Sequence, residues 1–180
     1  MYIQTEITPN PNSLKFIPGK PVSNNGSFEI TKKDEINNEL VRNLLSINGV
    51  KGIFLGADFI SINKEENVDW EDIKHIVISL IDDFYSSGKE YVVDKSLKNA
   101  EKTNLIEIEK KIIKILDTKI RPAVAKDGGD IKFEEFKEGI VKVRLQGSCS
   151  GCPSSTMTLK QGVQNLLCHY IPEVKEVVAI

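Results

Sequence analysis

The sequence predicts an α+β fold made of two small mixed domains joined by a linker. Segments of alternating apolar residues, typical of strands, are interspersed with segments in which apolar residues recur every three or four positions, as in helices. Both kinds of segment occur on either side of residues 89–103, a charged stretch with little apolar periodicity. We therefore expect one domain over residues 1–88, a linker over 89–103 and a second domain over 104–180.

The strands of the first domain are predicted from the alternation of apolar residues. Between the first two strands, Pro9 and Pro11 remove backbone donors and favour a turn. Residues 18–21 and 23–27, rich in Pro, Gly, Asn and Ser, are expected to form loops. The last two strands are expected to form a hairpin around Gly56. The predicted strands are residues 2–7, 14–17, 50–55 and 59–62.

Two helices are predicted in the first domain from apolar residues at helical spacing. Asp34 is placed to cap the first helix, which runs to about Ser46. Asp69 is placed to cap the second, and Gly88 is expected to end it because glycine is favoured just past a helix terminus.

The second domain is expected to have the element order α-β-β-α-β. Asn104 and Glu107 form an approximate capping box before its first helix, which Pro122 is expected to end. Residues 127–130 (Asp-Gly-Gly-Asp) predict a tight turn, and Pro153 suits the first position of the last helix. The predicted strands are residues 131–136, 140–145 and 174–180. The predicted buried face of the last helix is Leu159, Val163, Leu166, Leu167 and Tyr170.

Composition excludes several classes of function. The 180 residues are 40% hydrophobic, and no run of 18 or more is apolar, so no membrane span is expected. The net charge of −2 is uninformative about nucleic acid, but no basic stripe interleaved with aromatic residues occurs, so we expect no nucleic-acid partner. The first residues show neither a signal peptide nor an Arg-rich presequence, which predicts that the product stays where it is made.

The three cysteines carry the main functional signal. Cys149 and Cys152 form a Cys-X-X-Cys pair, and Cys168 is the third. An odd count without a signal peptide argues against a disulfide framework and favours a metal-binding or catalytic pair. Two thiolates at this spacing can hold one edge of a metal centre, but zinc or a cubane iron–sulfur cluster takes four ligands.

The predicted location of the pair favours thiolate chemistry. It lies in the loop between a strand and the helix that begins at Pro153, where the free N–H groups and the positive dipole of a helix N-terminus stabilise a thiolate. Ser148, Ser150 and Gly151 are small, so backbone amides can approach a sulfur atom closely.

The residues alone leave four interpretations open. The pair is either two small residues in a turn or the site of a thiol–disulfide oxidoreductase, although the βαβ unit expected before an oxidoreductase site is absent. Alternatively, the pair binds zinc within one chain, or a second copy of the chain supplies an identical pair through a two-fold axis. In-chain zinc lacks obvious further ligands. His75 lies in the first domain, and Cys168 and His169 lie over 20 Å from Pro153 along a helix at about 1.5 Å per residue.

Three segments of the second domain resemble the NifU-like C-terminal domain of Nfu iron–sulfur scaffold proteins. The first domain, through Gln4–Phe16 and the following Pro18-Gly19, resembles the Nfu N-terminal domain of mitochondrial and alphaproteobacterial members. The segments that carry the C-terminal resemblance are residues 120–131 (Ile-Arg-Pro-Ala-Val-Ala-Lys-Asp-Gly-Gly-Asp-Ile), 146–160 (Gln-Gly-Ser-Cys-Ser-Gly-Cys-Pro-Ser-Ser-Thr-Met-Thr-Leu-Lys) and 172–174 (Pro-Glu-Val).

This resemblance implies a cluster carrier and not an enzyme. It implies a [4Fe-4S] cluster held across a homodimer by Cys149 and Cys152 of each chain, with Cys168 not a ligand. Upstream cluster-assembly proteins would be the donors and apo iron–sulfur proteins the recipients, and the N-terminal domain would recognise partners. Under this interpretation we expect a cytoplasmic bacterial protein, or a mitochondrial matrix protein only if a presequence has been removed.

Overall fold

A computed structural model describes residues 1–24, 26–93, 107–148 and 153–180, with the side chains of 153–155 left aside. The chain divides into two compact units, Met1–Lys98 and Asn99–Ile180. Each unit has its own apolar core and combines helices with one sheet, so the predicted α+β class is confirmed. In the described part of the chain, every helix is too short or too polar to cross a membrane.

The N-terminal unit is a five-stranded antiparallel sheet with two helices. Its strand order is β1-β2-β5-β4-β3. Leu40, Val77 and Ile81 of the helices are buried in one core with Phe16 and Ile62 of the sheet, since each element offers one apolar side. The elements are β1 (Gln4–Ile7), β2 (Ser13–Ile17), β3 (Phe28–Ile30), α1 (Glu39–Leu45), β4 (Val50–Leu55), β5 (Ile60–Lys64) and α2 (Trp70–Ser86).

Helix α1 begins later than predicted, at Glu39, with Asn38 and not Asp34 as the cap. The Asn38 side-chain oxygen accepts the amide of Val41 at 3.1 Å, and its side-chain nitrogen donates to the carbonyl of Val92 at 2.7 Å. Upstream, the Glu35 carboxylate accepts the amide of Lys32 at 3.0 Å and stabilises a turn there. The cap therefore depends on a residue far along the chain, which a local pattern does not reveal.

Strand β3 is an element that the sequence analysis missed. It has three residues, too few to show a period of two, and it follows a stretch expected to be loop. Phe28 pairs with Leu55 and Ile30 with Ile53 of β4, and Ile30 is buried. Pairing with a neighbouring strand therefore makes this segment a strand.

The N-terminal unit extends beyond the predicted boundary at Gly88. Val92 and Val93 are both buried in its core, and the carbonyl of Val22 accepts their amides at 2.9 and 3.2 Å. Residues 89–93, predicted to begin the linker, therefore belong to this unit. The rest of the predicted linker, 94–103, lies outside the described residues, and the domain assignment stays a prediction.

Replacing both Val92 and Val93 by Ala is expected to lower the free energy of unfolding of this unit by about 2–4 kcal/mol, because two buried side chains lose their packing. The single tryptophan, Trp70, donates to the carbonyl of Pro11 at 3.1 Å and reports on this unit alone. Urea unfolding followed by its fluorescence measures the change. Glu90→Ala, at an exposed position, is the control; equal midpoints for both variants would contradict the assignment.

The C-terminal unit has the predicted α-β-β-α-β order around a three-stranded sheet. Strands β6 and β7 are antiparallel, and β8 is parallel to β7. Val141, Val143 and Leu145 are buried while the alternating Lys142 and Arg144 are exposed. The elements are α3 (Glu107–Ile115), a π-helical turn (Leu116–Ile120), α4 (Arg121–Lys126), β6 (Gly129–Lys137), β7 (Ile140–Gly147), α5 (Pro153–Tyr170) and β8 (Glu176–Ala179).

Two predictions for this unit are wrong. Pro122 does not end the first helix: the chain passes through the π-helical turn, and Pro122 falls in the first turn of α4, a position where proline is often found. Tyr170 is not buried but 50% exposed, with the Lys119 ammonium 5.2 Å from its ring centre, and Ile171 occupies the core position instead. Asn104 of the predicted capping box lies outside the described residues.

Candidate functional site

Cys149 and Cys152 lie outside the described residues, so their role as site residues stays a prediction. The structure describes both ends of the segment that contains them. Strand β7 leads to Ser148 on one side, and α5 begins at Pro153 on the other. The pair therefore lies in the chain between a strand and a helix N-terminus, in agreement with the predicted element order.

Ser148, the residue before Cys149, is held against the turn that joins α4 to β6. It is 2% exposed. Its hydroxyl donates to the carbonyl of Asp127, and its amide donates to the carbonyl of Gly128 at 3.3 Å. Two hydrogen bonds thus fix the last described residue before the cysteine pair to one turn.

Two glycines allow this close approach of the two chain segments. Gly128, in the turn, has a φ of +78°, and Gly147, at the end of β7, has a φ of +68°. Both values lie in the left-handed region, where a side chain is strained. Gly147 is also the register partner of Gly129. Of the predicted Asp-Gly-Gly-Asp turn, Asp127 and Gly128 form the turn, whereas Gly129 and Asp130 already belong to β6. Ser148 is hydrogen-bonded to this turn.

A pair of charged side chains links the beginning of α4 to the beginning of β6, the two elements that this turn joins. Arg121 donates to Asp130 through two parallel hydrogen bonds, Nε to Oδ1 at 2.9 Å and Nη2 to Oδ2 at 2.9 Å. Asp130 is 5% exposed and also accepts the amide of Ile131 at 2.8 Å. Arg121 also donates to Asp117 at 3.1 Å. The hydrogen bond to Asp130 is the main cause that raises the pKa of Arg121, so the guanidinium stays charged.

Sequence analysis identified the turn but missed Arg121, Asp117 and the anchoring role of Ser148. The sequence signal for the Arg121–Asp130 ion pair is weak, because these residues are nine positions apart and separated by a predicted helix end. The π-helical turn carries Asp117 and directly precedes Arg121, which brings both carboxylates to one guanidinium.

The N-terminus of the helix that follows the cysteine pair in the chain carries partial positive charge. Helix α5 has 18 residues, and the amides of its first turn have no acceptor within the helix. Its dipole places partial positive charge at this end, which favours anions such as thiolates.

Two of the other candidate ligands, Cys168 and His169, lie far from this helix terminus along α5. Cys168 lies about 22 Å along α5 from Pro153 at 1.5 Å per residue. Its thiol donates to the carbonyl of Val174 at 3.2 Å, and its side chain packs against the core. His169 is exposed at the same end of α5, and His75 is exposed on α2 of the other unit. Among the described residues, no group of three or more His, Cys, Asp and Glu side chains is placed to hold a metal ion.

Comparison with known proteins identifies the family. One family model, described as the NifU-like domain, matches residues 112–178, and another, described as the N terminal of scaffold protein Nfu/NifU, matches residues 3–88. The human protein named "NFU1 iron-sulfur cluster scaffold homolog, mitochondrial" is 47% identical over 180 residues, which cover 98% of this chain and 71% of that protein. The chain belongs to the Nfu/NifU scaffold protein family.

A further relative and a solved structure are also similar to this Nfu/NifU family member. "NifU-like protein 4, mitochondrial" from Arabidopsis thaliana is 44% identical over 184 residues, or 98% of this chain and 65% of that protein. The chain thus spans about two thirds of the length of these relatives. A solution NMR structure of a NifU-like protein from Saccharomyces cerevisiae is 34% identical and covers 53% of this chain and 87% of its own, with a TM-score of 0.48. Both relatives are mitochondrial by name; the bacterial cytoplasm expected above stays a prediction for this chain.

Proposed function

We propose that this Nfu/NifU family member carries a [4Fe-4S] cluster as cargo, held between two copies of the chain and transferred to apo iron–sulfur proteins. Cys149 and Cys152 of each copy are the four ligands. Family membership supports the iron–sulfur role, because a relative 47% identical is named an iron–sulfur cluster scaffold homologue. The protein acts as a carrier and not as an enzyme.

The observation that carries this proposal is the position of Cys168, which lies at the end of α5 opposite to the helix N-terminus that follows the cysteine pair in the chain. The third cysteine is engaged with the carbonyl of Val174 at the far end of α5. A cubane cluster takes four cysteine thiolates, and one chain offers two at this place. An isologous dimer repeats the same pair about a two-fold axis and supplies the missing two.

Release of the cluster proceeds by ligand exchange. The thiolates of a recipient protein displace Cys149 and Cys152 one after the other, so no net electron transfer is needed. The first-turn amides of α5 lower the basicity of the thiolates and make them better leaving ligands. Upstream cluster-assembly proteins supply the cluster.

The N-terminal unit is the part of the chain that recognises partners. Strand β1 lies at one end of the strand order of its sheet, and Tyr2 and Ile7, beside and within it, are 85% and 91% exposed. Exposed apolar side chains next to a terminal strand favour contacts with another protein.

The test of the function is cluster transfer to an apo-enzyme whose activity requires a [4Fe-4S] cluster. After anaerobic reconstitution with iron and sulfide, the full chain is expected to restore activity faster than an equal amount of free iron and sulfide. Failure to do so would overturn the carrier role. If the chain instead takes up no cluster and turns over a dithiol substrate through a Cys149–Cys152 disulfide, it is a thiol–disulfide oxidoreductase.

The recognition role has its own expected result. A chain of residues 104–180, which contains the C-terminal core, is expected to take up the cluster but to transfer it more slowly to recipients than the full chain. The comparison uses equal cluster concentrations and follows recovery of recipient activity. Equal transfer rates for both chains would remove recognition from the N-terminal unit.

A further inference from the structure

We infer that a groove between α1 and α2 of the N-terminal unit is a docking site for a lysine side chain of a recipient protein. The inference rests on the proposed recognition role of this unit, because it names the place where a recipient binds and the chemistry that binds it. The groove has a volume of about 220 Å³ and is lined by residues of both helices and by Lys89, which follows α2.

The floor of the groove is apolar. Leu40 of α1 and Phe84 of α2 are buried, and Leu80 of α2 is partly buried against the core of this unit. A lysine side chain covers apolar surface with its four-carbon stem and keeps its ammonium group in contact with water. The floor therefore offers a contact surface for a stem that enters between the two helices.

The rim of the groove carries an excess of negative charge. Glu39 of α1 and Asp83 of α2 contribute two carboxylates, and Lys89 contributes one ammonium, which leaves a net charge of −1. Asp83 lies in the last turn of α2, a turn that contains no basic residue, and the helix dipole adds partial negative charge there. The electrostatics of the groove therefore favour a cation over an anion.

The chain's own Lys89 shows how the groove holds an ammonium group. Its Nζ lies 3.2 Å from Oε2 of Glu39 and 5.0 Å from the centre of the Phe84 ring. A carboxylate and the face of an aromatic ring are both groups that bind ammonium ions in proteins. The groove thus already combines the two contacts that a lysine of another protein needs.

The contact with Lys89 leaves the groove available to a second cation. The side chains of Lys89 and Glu39 are 45% and 68% exposed, and water and salt screen ion pairs of this kind. Lys89 borders the open volume and does not fill it. Among the described residues, Asp83 has no ion-pair partner, so its carboxylate is free to pair with an incoming ammonium. The Lys89 ammonium competes with that cation.

The experiment titrates the full chain with Nα-acetyl-lysine methylamide and follows the amide signals of the groove residues Asn43, Leu80 and Phe84 by NMR. Nα-acetyl-norleucine methylamide has the same four-carbon stem without the ammonium and is the matched control probe. The lysine probe is expected to shift these signals saturably. It is expected to bind at least about threefold more tightly than the norleucine probe, because only the ammonium gains the charged and aromatic contacts.

Three variants separate the groove from the overall charge of the chain. Asp83→Asn is expected to weaken binding of the lysine probe about threefold to tenfold, and Lys89→Met, which removes the competing cation, to strengthen it by a similar factor. Asp72→Asn is the control, because it removes an exposed carboxylate from the same helix about 16 Å away at 1.5 Å per residue. It is expected to change the affinity by less than a factor of about two, since salt screens charges at that distance.

The role in docking is measured by cluster transfer to the apo-enzyme at equal cluster concentrations. Asp83→Asn is expected to raise the recipient concentration that gives half the maximal transfer rate about threefold or more, in parallel with its effect on the probe. Asp72→Asn is expected to leave that concentration unchanged.

Equal affinity for the two probes would overturn the docking site, as would equal effects of Asp83→Asn and Asp72→Asn or unchanged or weaker binding in Lys89→Met. Unchanged transfer in Asp83→Asn would overturn the docking of recipients at this groove. If the chain takes up no cluster, or if residues 104–180 transfer it as fast as the full chain, the proposed carrier or recognition role fails. The probe titration then decides by itself whether the groove binds a lysine side chain.

Discussion

Replacing Cys149 or Cys152 by Ser is expected to reduce the iron retained after anaerobic reconstitution at least about tenfold, because each substitution removes two of the four cluster ligands from a dimer. A serine hydroxyl is a hard, weakly acidic ligand and does not substitute well for a thiolate at an iron–sulfur cluster. Iron and sulfide analysis after gel filtration, together with the visible charge-transfer absorption, measures the loss.

Cys168→Ser is the matched control for these two variants. This substitution also replaces a thiol by a hydroxyl, but Cys168 is partly buried at the far end of α5 and its thiol donates to the carbonyl of Val174. This variant is expected to retain iron and sulfide at the wild-type level. Loss of iron from Cys168→Ser equal to that from Cys149→Ser would contradict the assignment of the ligands.

Replacing Asp130 by Ala is expected to lower the free energy of unfolding of the C-terminal unit by about 2–4 kcal/mol. The substitution leaves the guanidinium of Arg121 without its paired acceptor and removes the acceptor of the Ile131 amide. Asp130 is almost fully buried, so water does not replace these contacts at full strength. Urea unfolding followed by the NMR signals of Val141 and Val143 measures the change in this unit.

An exposed ion pair of the same sheet provides the control for Asp130→Ala. Glu135 accepts from Lys142 at 2.9 Å, and both side chains are about half exposed. Exposed pairs contribute little to stability because water and salt screen them. Glu135→Ala is therefore expected to leave the unfolding midpoint almost unchanged. Equal destabilisation by the two substitutions would show that burial of Asp130 does not matter.

The sequence predicts those parts of the fold whose signals are local. The alternation of Val141, Val143 and Leu145 identifies β7 and its buried face, and Pro153 identifies the beginning of α5. In the same way, the hairpin around Gly139 follows from its turn residues, Glu138 and Gly139, which both adopt a positive φ.

Features that depend on distant residues could not be predicted in this way. The cap of α1 is completed by Val92, and β3 is a strand only because β4 pairs with it. For the candidate site, the motif around Cys149 and Cys152 indicates the chemistry from sequence alone. The hydrogen bond from the Ser148 hydroxyl to the carbonyl of Asp127 could not be predicted from the sequence, since it joins residues 21 positions apart.

Sharing of one cluster by two copies of the chain is tested by the composition and mass of the reconstituted protein. Anaerobic reconstitution, iron and sulfide analysis and sedimentation are carried out on the same sample. We expect four irons and four sulfides per pair of 20.1 kDa chains, with cluster and dimer lost together on chelation. A stable cubane cluster on a single chain would contradict it.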